Sequence, residues 1–418
     1  MHTSSSSPIV PAAAGWSRRR WLQGLGGATL AASGALRLAW AQGPGVRGRC
    51  VVVMLRGALD GLAAVPAPGD PQWAALRGPL AEGAEAPLAL DGFFALHPAL
   101  RGLHGWYGSG ELLVVHAVAS PYRERSHFDA QQLLESGGER PFALSTGWIG
   151  RALPPGAARA VALAPAMPLA LRGSEDATTW TPTRRAAPDD DLAARVARLY
   201  AQDPVLAARW QQVRALPAAP LADRADAADM AGEGDAMAPN AQTSASPRAV
   251  GAGFAALATQ AGRFLAEPQG PAVAWLELGG WDTHTQQGPR LQRQLAALDG
   301  GLLALRAALG PLWADTTVLV MTEFGRSARP NGSGGTDHGT AGVAFVAGGA
   351  VAGGRVLADW PGLSPAQLHE GRDLRPTTDL RSLQRALLAR HLGTDETRLS
   401  REVLPGSPAS ARGLWREA

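Results

Sequence analysis

Ala272-Val273-Ala274-Trp275-Leu276-Glu277-Leu278-Gly279-Gly280-Trp281-Asp282-Thr283-His284 is the stretch that decides the fold. Its first seven residues are apolar but for Glu277, as in a parallel strand buried on both faces. Leu291, Leu295, Leu298, Leu302, Leu305 and Leu309 then recur at spacings of four and three, one face of an amphipathic helix. Thr316-Thr317-Val318-Leu319-Val320-Met321 is the next apolar run. Strand, helix and strand in this order predict a parallel pair with a right-handed crossover. Asp282 and Glu323, each just past a strand, are therefore expected on one sheet edge, where open α/β folds bind ligands.

Other segments extend the pattern. Cys50-Val51-Val52-Val53-Met54-Leu55 is a strand ending in the turn Arg56-Gly57-Ala58-Leu59-Asp60-Gly61. Leu112 to Val118 is another. After a loop, Ser126-His127-Phe128-Asp129 opens a helix that closes at Gly137, with Ser126 and Asp129 in nearly capping-box form. Val343 to Ala347 is a shorter strand, entered through Gly334-Gly335-Thr336-Asp337-His338-Gly339. Leu380 to Leu392 is an amphipathic packing helix. Residues 151–215 show helical patterns without chemical clusters and read as a lid or cap. Residues 216–248, rich in Ala, Asp, Pro and Ser, read as a mobile insertion or linker. The fold class is α/β with a mostly parallel central sheet.

The N-terminus reads as an export signal over residues 1–41. Ser17-Arg18-Arg19-Arg20-Trp21-Leu22 resembles the twin-arginine consensus, a modestly apolar run follows, and Ala39-Trp40-Ala41 fits a cleavage site. Arg37 and the many Gly and Ala residues in that run argue against a permanent membrane anchor. The expected partner is the twin-arginine export machinery, and the expected location periplasmic or secreted. The signal holds four arginines and no acids, so its removal takes the formal charge from +3 to about −1. The remainder, residues 42–418, reads as one domain and is no basic nucleic-acid binder by composition. The chain has no lysine, which excludes Schiff-base and P-loop chemistry. Cys50 is the lone cysteine and excludes an intramolecular disulfide.

Asp60 is either a turn former bonded to its own backbone or a metal ligand. Asp282 and His284, two residues apart, can reach one ion when the backbone is extended. Glu323 follows a strongly apolar strand, where a charge needs a partner: an ion, Arg326 or Arg56. Arg326 and Arg56 match the oxygens of a phosphate or sulfate. Asp337 and His338 lie among five glycines, which allow close approach of the backbone to an ion. Ser126 is a helix cap or a nucleophile. His127 beside it stays open between ligand, proton shuttle and packing. The G-x-S-x-G, H-E-x-x-H, P-loop and dinucleotide-binding patterns are missing from the sequence.

These segments, together with Thr146-Gly147-Trp148-Ile149-Gly150-Arg151, resemble the secreted family catalogued as domain of unknown function 1501. The resemblance implies an alkaline-phosphatase-like three-layer sandwich, shared with sulfatases, and no established reaction. Carried over, Asp60 and Asp282 match metal acids, His284 a nearby ligand, Ser126 the helix-capping nucleophile, Glu323 the acid of an Asp-His pair and His338 a late histidine ligand. Phe324 stands where a ligand histidine is expected, and Ala58 replaces a glycine common in the first turn. The sulfatase formylglycine pattern is missing around Ser126.

The residues and the resemblance together imply a metal-dependent hydrolase of small anionic phosphate or sulfate esters. One or two divalent ions (Zn, Ca, Mg or Mn) are expected on Asp60, Asp282, His284, Glu323, Asp337 and His338, with Ser126, Arg56 and Arg326 acting on the ester. With fewer imidazoles than a two-zinc site needs, a harder ion such as calcium, magnesium or manganese is expected at least as readily as zinc. The rival expectation is an inactive hydrolase scaffold used in extracytoplasmic binding or assembly.

Overall fold

The computed structural model describes residues 47–82, 85–182, 190–215 and 247–416. The export signal read over 1–41 lies outside them, as does the insertion read over 216–248 except for its last two residues.

Nine strands make one sheet: β1 (Arg49–Leu55), β2 (Leu112–Ala119), β3 (Ala160–Leu163), β4 (Ala177–Trp180), β5 (Val273–Leu278), β6 (Thr316–Thr322), β7 (Gly342–Ala347), β8 (Arg355–Leu357) and β9 (Thr378–Asp379). Their spatial order is β8-β2-β7-β6-β1-β5-β3-β4, with β9 also against β2. β1 lies between β5 and β6 and is parallel to both. Only β7 runs against its neighbours, antiparallel to β2 and β6. The two strands around the leucine helix run parallel as expected, but they do not pair with each other: β1 lies between them and bonds to both.

Both faces of the sheet are covered, which is why its central strands are apolar throughout. Val51, Val53 and Leu55 face one core, and Cys50, Val52 and Met54 the other. Four helices matter for the site and its support: α1 (Gly61–Ala64), α2 (His127–Ser136), α3 (Gln287–Leu309) and α4 (Leu380–Leu392). Six of the seven leucines of α3, all but exposed Leu303, lie in the first core, and Leu380, Leu383, Leu387, Leu388 and Leu392 of α4 in the second. The result is a three-layer α/β sandwich with a mostly parallel sheet, the class that the family resemblance implies. By length and composition the stretch Gln287–Asp315 could cross a membrane, alone in this among the described residues. Its leucine stripe is core-facing here.

The cap expected over 151–215 is corrected in part. Residues 160–163 and 177–180 extend the sheet as β3 and β4, parallel to each other and, through β3, to β5. Residues 190–215 carry two helices, Asp190–Tyr200 and Pro204–Ala215.

The direction of β7 positions the site. Parallel strands β1, β5 and β6 end on one edge, and a strand running the other way begins there. The loop before β7, with Asp337 and His338, therefore meets the loops that follow β1, β2, β5 and β6.

Candidate metal centre

Three imidazoles and one carboxylate converge at this edge. Asp282 Oδ1 lies 3.0 Å from His284 Nε2, 3.2 Å from His338 Nε2 and 3.6 Å from His127 Nε2. His338 Nε2 is also 3.0 Å from His127 Nε2 and 2.9 Å from His284 Nε2. Ligand atoms of His127, Asp282 and His338 all lie within 4.8 Å of one another, close enough to share one ion.

Each ring is held from behind through its other nitrogen. His127 Nδ1 donates to Glu323 Oε1 at 2.8 Å, and His338 Nδ1 to the Arg125 carbonyl at 2.9 Å. His284 Nδ1 sits 3.4 Å from Asp337 Oδ1. Outer oxygens of this kind fix the tautomer of a metal-binding histidine and leave the Nε2 lone pair for the ion. The donor set thus fits a cation: several lone pairs point at one place, and each ring is already oriented.

Glu323 is fully buried, and donors surround it. Gly57 N–H, His127 Nδ1 and Gln131 Nε2 reach Oε1 at 2.8, 2.8 and 2.9 Å, and the Thr322 hydroxyl reaches Oε2 at 2.9 Å. Burial alone would raise its pKa; the hydrogen bond and charge of His127 outweigh that and lower it. Glu323 therefore holds His127 by its far nitrogen and is not one of the three residues whose ligand atoms converge. Burial would lower His127, yet its bonds to Asp282 and Glu323 raise it to about 9. Asp282 is opposed by burial too, but His127, His338 and Arg326 hold it well below the carboxylate range.

Asp60 stands apart from the expected ligand set. Its Oδ2 pairs with buried Arg77 at 2.5 Å and accepts from Gln287 Nε2 at 2.6 Å, while Oδ1 caps α1 through Ala63 N–H at 3.2 Å. Its charge is balanced by Arg77, and it is not among the residues whose ligand atoms converge. It still touches the site indirectly. Gln287 Oε1 accepts from Thr336 Oγ1 at 2.6 Å, Thr336 Oγ1 accepts from Arg326 Nε at 3.2 Å, and Arg326 Nη1 donates to Asp282 Oδ1 at 2.5 Å.

The two expected anion clamps are also committed elsewhere. Arg326 is buried and holds Asp282 and the Thr336 carbonyl. Arg56 is gripped by Glu277 and Glu135 at 2.6 and 2.7 Å. Burial opposes its charge, but the two carboxylates win and raise its pKa. Ser126 caps α2, its hydroxyl 3.5 Å from Asp129 N–H. Asp337 is half exposed and bonds Asn331 Nδ2 at 3.0 Å. Phe324, at the position where the resemblance leads one to expect a ligand histidine, is buried with its ring 4.8 Å from that of His127 and 5.2 Å from that of His338.

Close backbone packing shapes the loops. At Gly57, with φ +115°, a Cβ would meet Asp282 N at 2.6 Å; at Gly335 it would meet His284 C at 2.3 Å. Ala58, Arg125 and Gln286, beside these residues, all hold positive φ, a strained state for non-glycine residues.

His127 is the residue that the sequence leaves open and the structure brings in. Its available signal is position: it opens the helix after β2, on the same sheet edge as Asp282.

A family model described as "Protein of unknown function (DUF1501)" matches residues 115–404, more than half of the chain. The chain belongs to the DUF1501 family. That match covers His127, Asp282, His284, Glu323 and His338. No curated protein matches the chain. Among solved structures it is similar to Ps i-CgsB in complex with k-i-k-neocarrahexaose, at 11% identity and TM-score 0.39, over 84% of this chain and 74% of that one. It is similar to a 2-O GAG sulfatase at 9% identity and TM-score 0.35, over 74% and 66%. It is also similar to the alkaline phosphatase from the Antarctic bacterium TAB5 at 9% identity and TM-score 0.32, over 72% and 92%. At these values the likeness concerns coarse architecture and says nothing about the DUF1501 site.

Proposed function

We propose that this DUF1501 protein is an exported, metal-dependent hydrolase of small phosphate or sulfate esters. One divalent ion would be held by His127, Asp282 and His338, with His284 beside them. The observation that carries this reading is the meeting of imidazole Nε2 atoms at 2.9 and 3.0 Å with every Nδ1 turned to an oxygen. A nitrogen-rich donor set favours zinc over calcium and magnesium, which take oxygen ligands. A bound ion would polarise the ester and neutralise developing charge.

The chain's own groups supply the rest. Glu323, the Arg125 carbonyl and Asp337 orient the rings, and Arg326 orients Asp282. Phe324 shields the inner side of the histidines from water. Ser126 sits one residue before His127 at the N-terminus of α2, where free N–H groups favour an anion. It is proposed as the attacking hydroxyl or as the group that orients an attacking water. Export by the twin-arginine route rests on Ser17 to Leu22 and on Ala39-Trp40-Ala41.

Hydrolysis of an aryl phosphate and an aryl sulfate by the zinc- and manganese-loaded protein tests the reading. Turnover lost in Asp282→Ala supports it. A metal-loaded protein inert on both esters favours the second reading, an inactive scaffold for binding. That alternative draws on one observation: Arg56 and Arg326 are both engaged by carboxylates.

A further inference from the structure

The side-chain amide of Gln131 bridges two groups of opposite hydrogen-bonding character. Arg56 Nη1 donates to its Oε1 at 2.7 Å, and its Nε2 donates to Glu323 Oε1 at 2.9 Å. A guanidinium can only donate and a carboxylate can only accept, so the amide has one permitted orientation. Arg56 is itself immobilised, by two bonds to Glu277 at 2.9 and 2.6 Å and one to Glu135 at 2.7 Å. Every donor and acceptor in the chain Glu277–Arg56–Gln131–Glu323–His127 is therefore fixed: Arg56 donates to both its neighbours, and Glu323 accepts from both of its own.

We infer that Arg56 and Gln131 are positioning residues for the cation site. By fixing the direction of the amide they keep a donor on Glu323. Glu323 in turn holds His127 through Nδ1, and the His127 Nε2 atom faces His338 and Asp282. Turned over, the amide would set its oxygen against a buried carboxylate, lone pair against lone pair. This inference rests on the reading of the histidine cluster as a cation site.

The test uses zinc alone, titrated into chelator-stripped mature protein in competition with a chelating dye. Gln131→Met removes the bridge and leaves the Arg56 ion pairs in place. It is expected to weaken zinc about 10- to 100-fold, the usual cost of an outer partner of a ligand, with the metal-free melting temperature near wild type. Arg56→Gln, which can donate or accept, is expected to lose affinity as well. Arg56→Lys, still donor-only, is expected to recover part of it. Zinc affinity in Gln131→Met and Arg56→Gln within twofold of wild type would overturn the inference. If wild type takes up no zinc, the cation reading fails, and the His127 Nδ1 proton in the metal-free protein decides the inference separately. Its NMR resonance protected in wild type and lost in Gln131→Met upholds the positioning role; equal protection in both overturns it.

Discussion

His127 and His338 face each other through Nε2 atoms 3.0 Å apart, while Glu323 and the Arg125 carbonyl hold the opposite nitrogens. Two unprotonated nitrogens at that separation repel through their lone pairs. A shared cation, or a proton in its absence, turns the repulsion into attraction. The pair is therefore arranged for positive charge, with the Asp282 carboxylate alongside.

Binding to the folded state alone predicts stabilisation. Zinc or manganese at about 100 times its dissociation constant should add about 2.7 kcal/mol. Thermal melts with and without a strong chelator measure this, and identical melting temperatures would remove the site from consideration.

Asp60 and Asp282 should separate in their effects. Asp60→Ala strands the buried Arg77 charge and should cost about 3–5 kcal/mol, with one ion per folded chain retained. Asp282→Ala should abolish metal uptake. Urea unfolding and elemental analysis of the two variants read both quantities; metal lost from well-folded Asp60→Ala would return Asp60 to the ligand set.

The metal-free protein should respond to pH in a defined direction. His127, raised from 6.5 to about 9, contributes stability that is fully present below pH 6.5 and lost as pH rises through 9. That shift corresponds to about 3 kcal/mol at most. Glu323 and Asp282 are lowered, so their contribution is present above their unfolded pKa values and lost as pH falls below them. Stability should peak near pH 5 to 6.5 and fall on both sides. Denaturant midpoints across pH 4 to 10 check this, and a midpoint that rises from pH 7 to 9 would contradict it.

Gly57→Ala should loosen the site from outside the donor set. Its new Cβ would press on Asp282 N from a left-handed backbone. Metal affinity should drop at least tenfold and stability by about 1–3 kcal/mol. Calorimetric metal titration of the variant measures the first, and wild-type affinity would show that the Gly57–Asp282 contact does not position the carboxylate.

Much of this fold is legible in the sequence because its central strands are buried on both faces. Such strands are continuous apolar runs, and the leucine spacing of α3 marks the helix between two of them. β3 and β4 escape that reading: Ala160–Leu163 and Ala177–Trp180 are four residues each and blend into an alanine-rich background. The sheet edge was equally legible for Asp282, His284 and His338, which do meet. Asp60 was not, because its partner Arg77 lies in a short helix with no sequence mark of the pairing. Glu323 lies at the edge as expected, but whether a carboxylate touches an ion or a ligand's far nitrogen depends on side-chain direction. His127 shares its place with a helix-capping serine, and nothing local separates a ligand there from ordinary packing. The antiparallel course of β7, which brings His338 into the group, is a property of strand pairing and not of the strand's own residues.

The most direct measurement is metal stoichiometry by elemental analysis of chelator-stripped mature protein after exposure to zinc or manganese and removal of excess. The account predicts one ion per chain in wild type and none in a folded His127→Ala/His338→Ala variant. A wild type that retains no ion, or a double variant that retains as much, would contradict it.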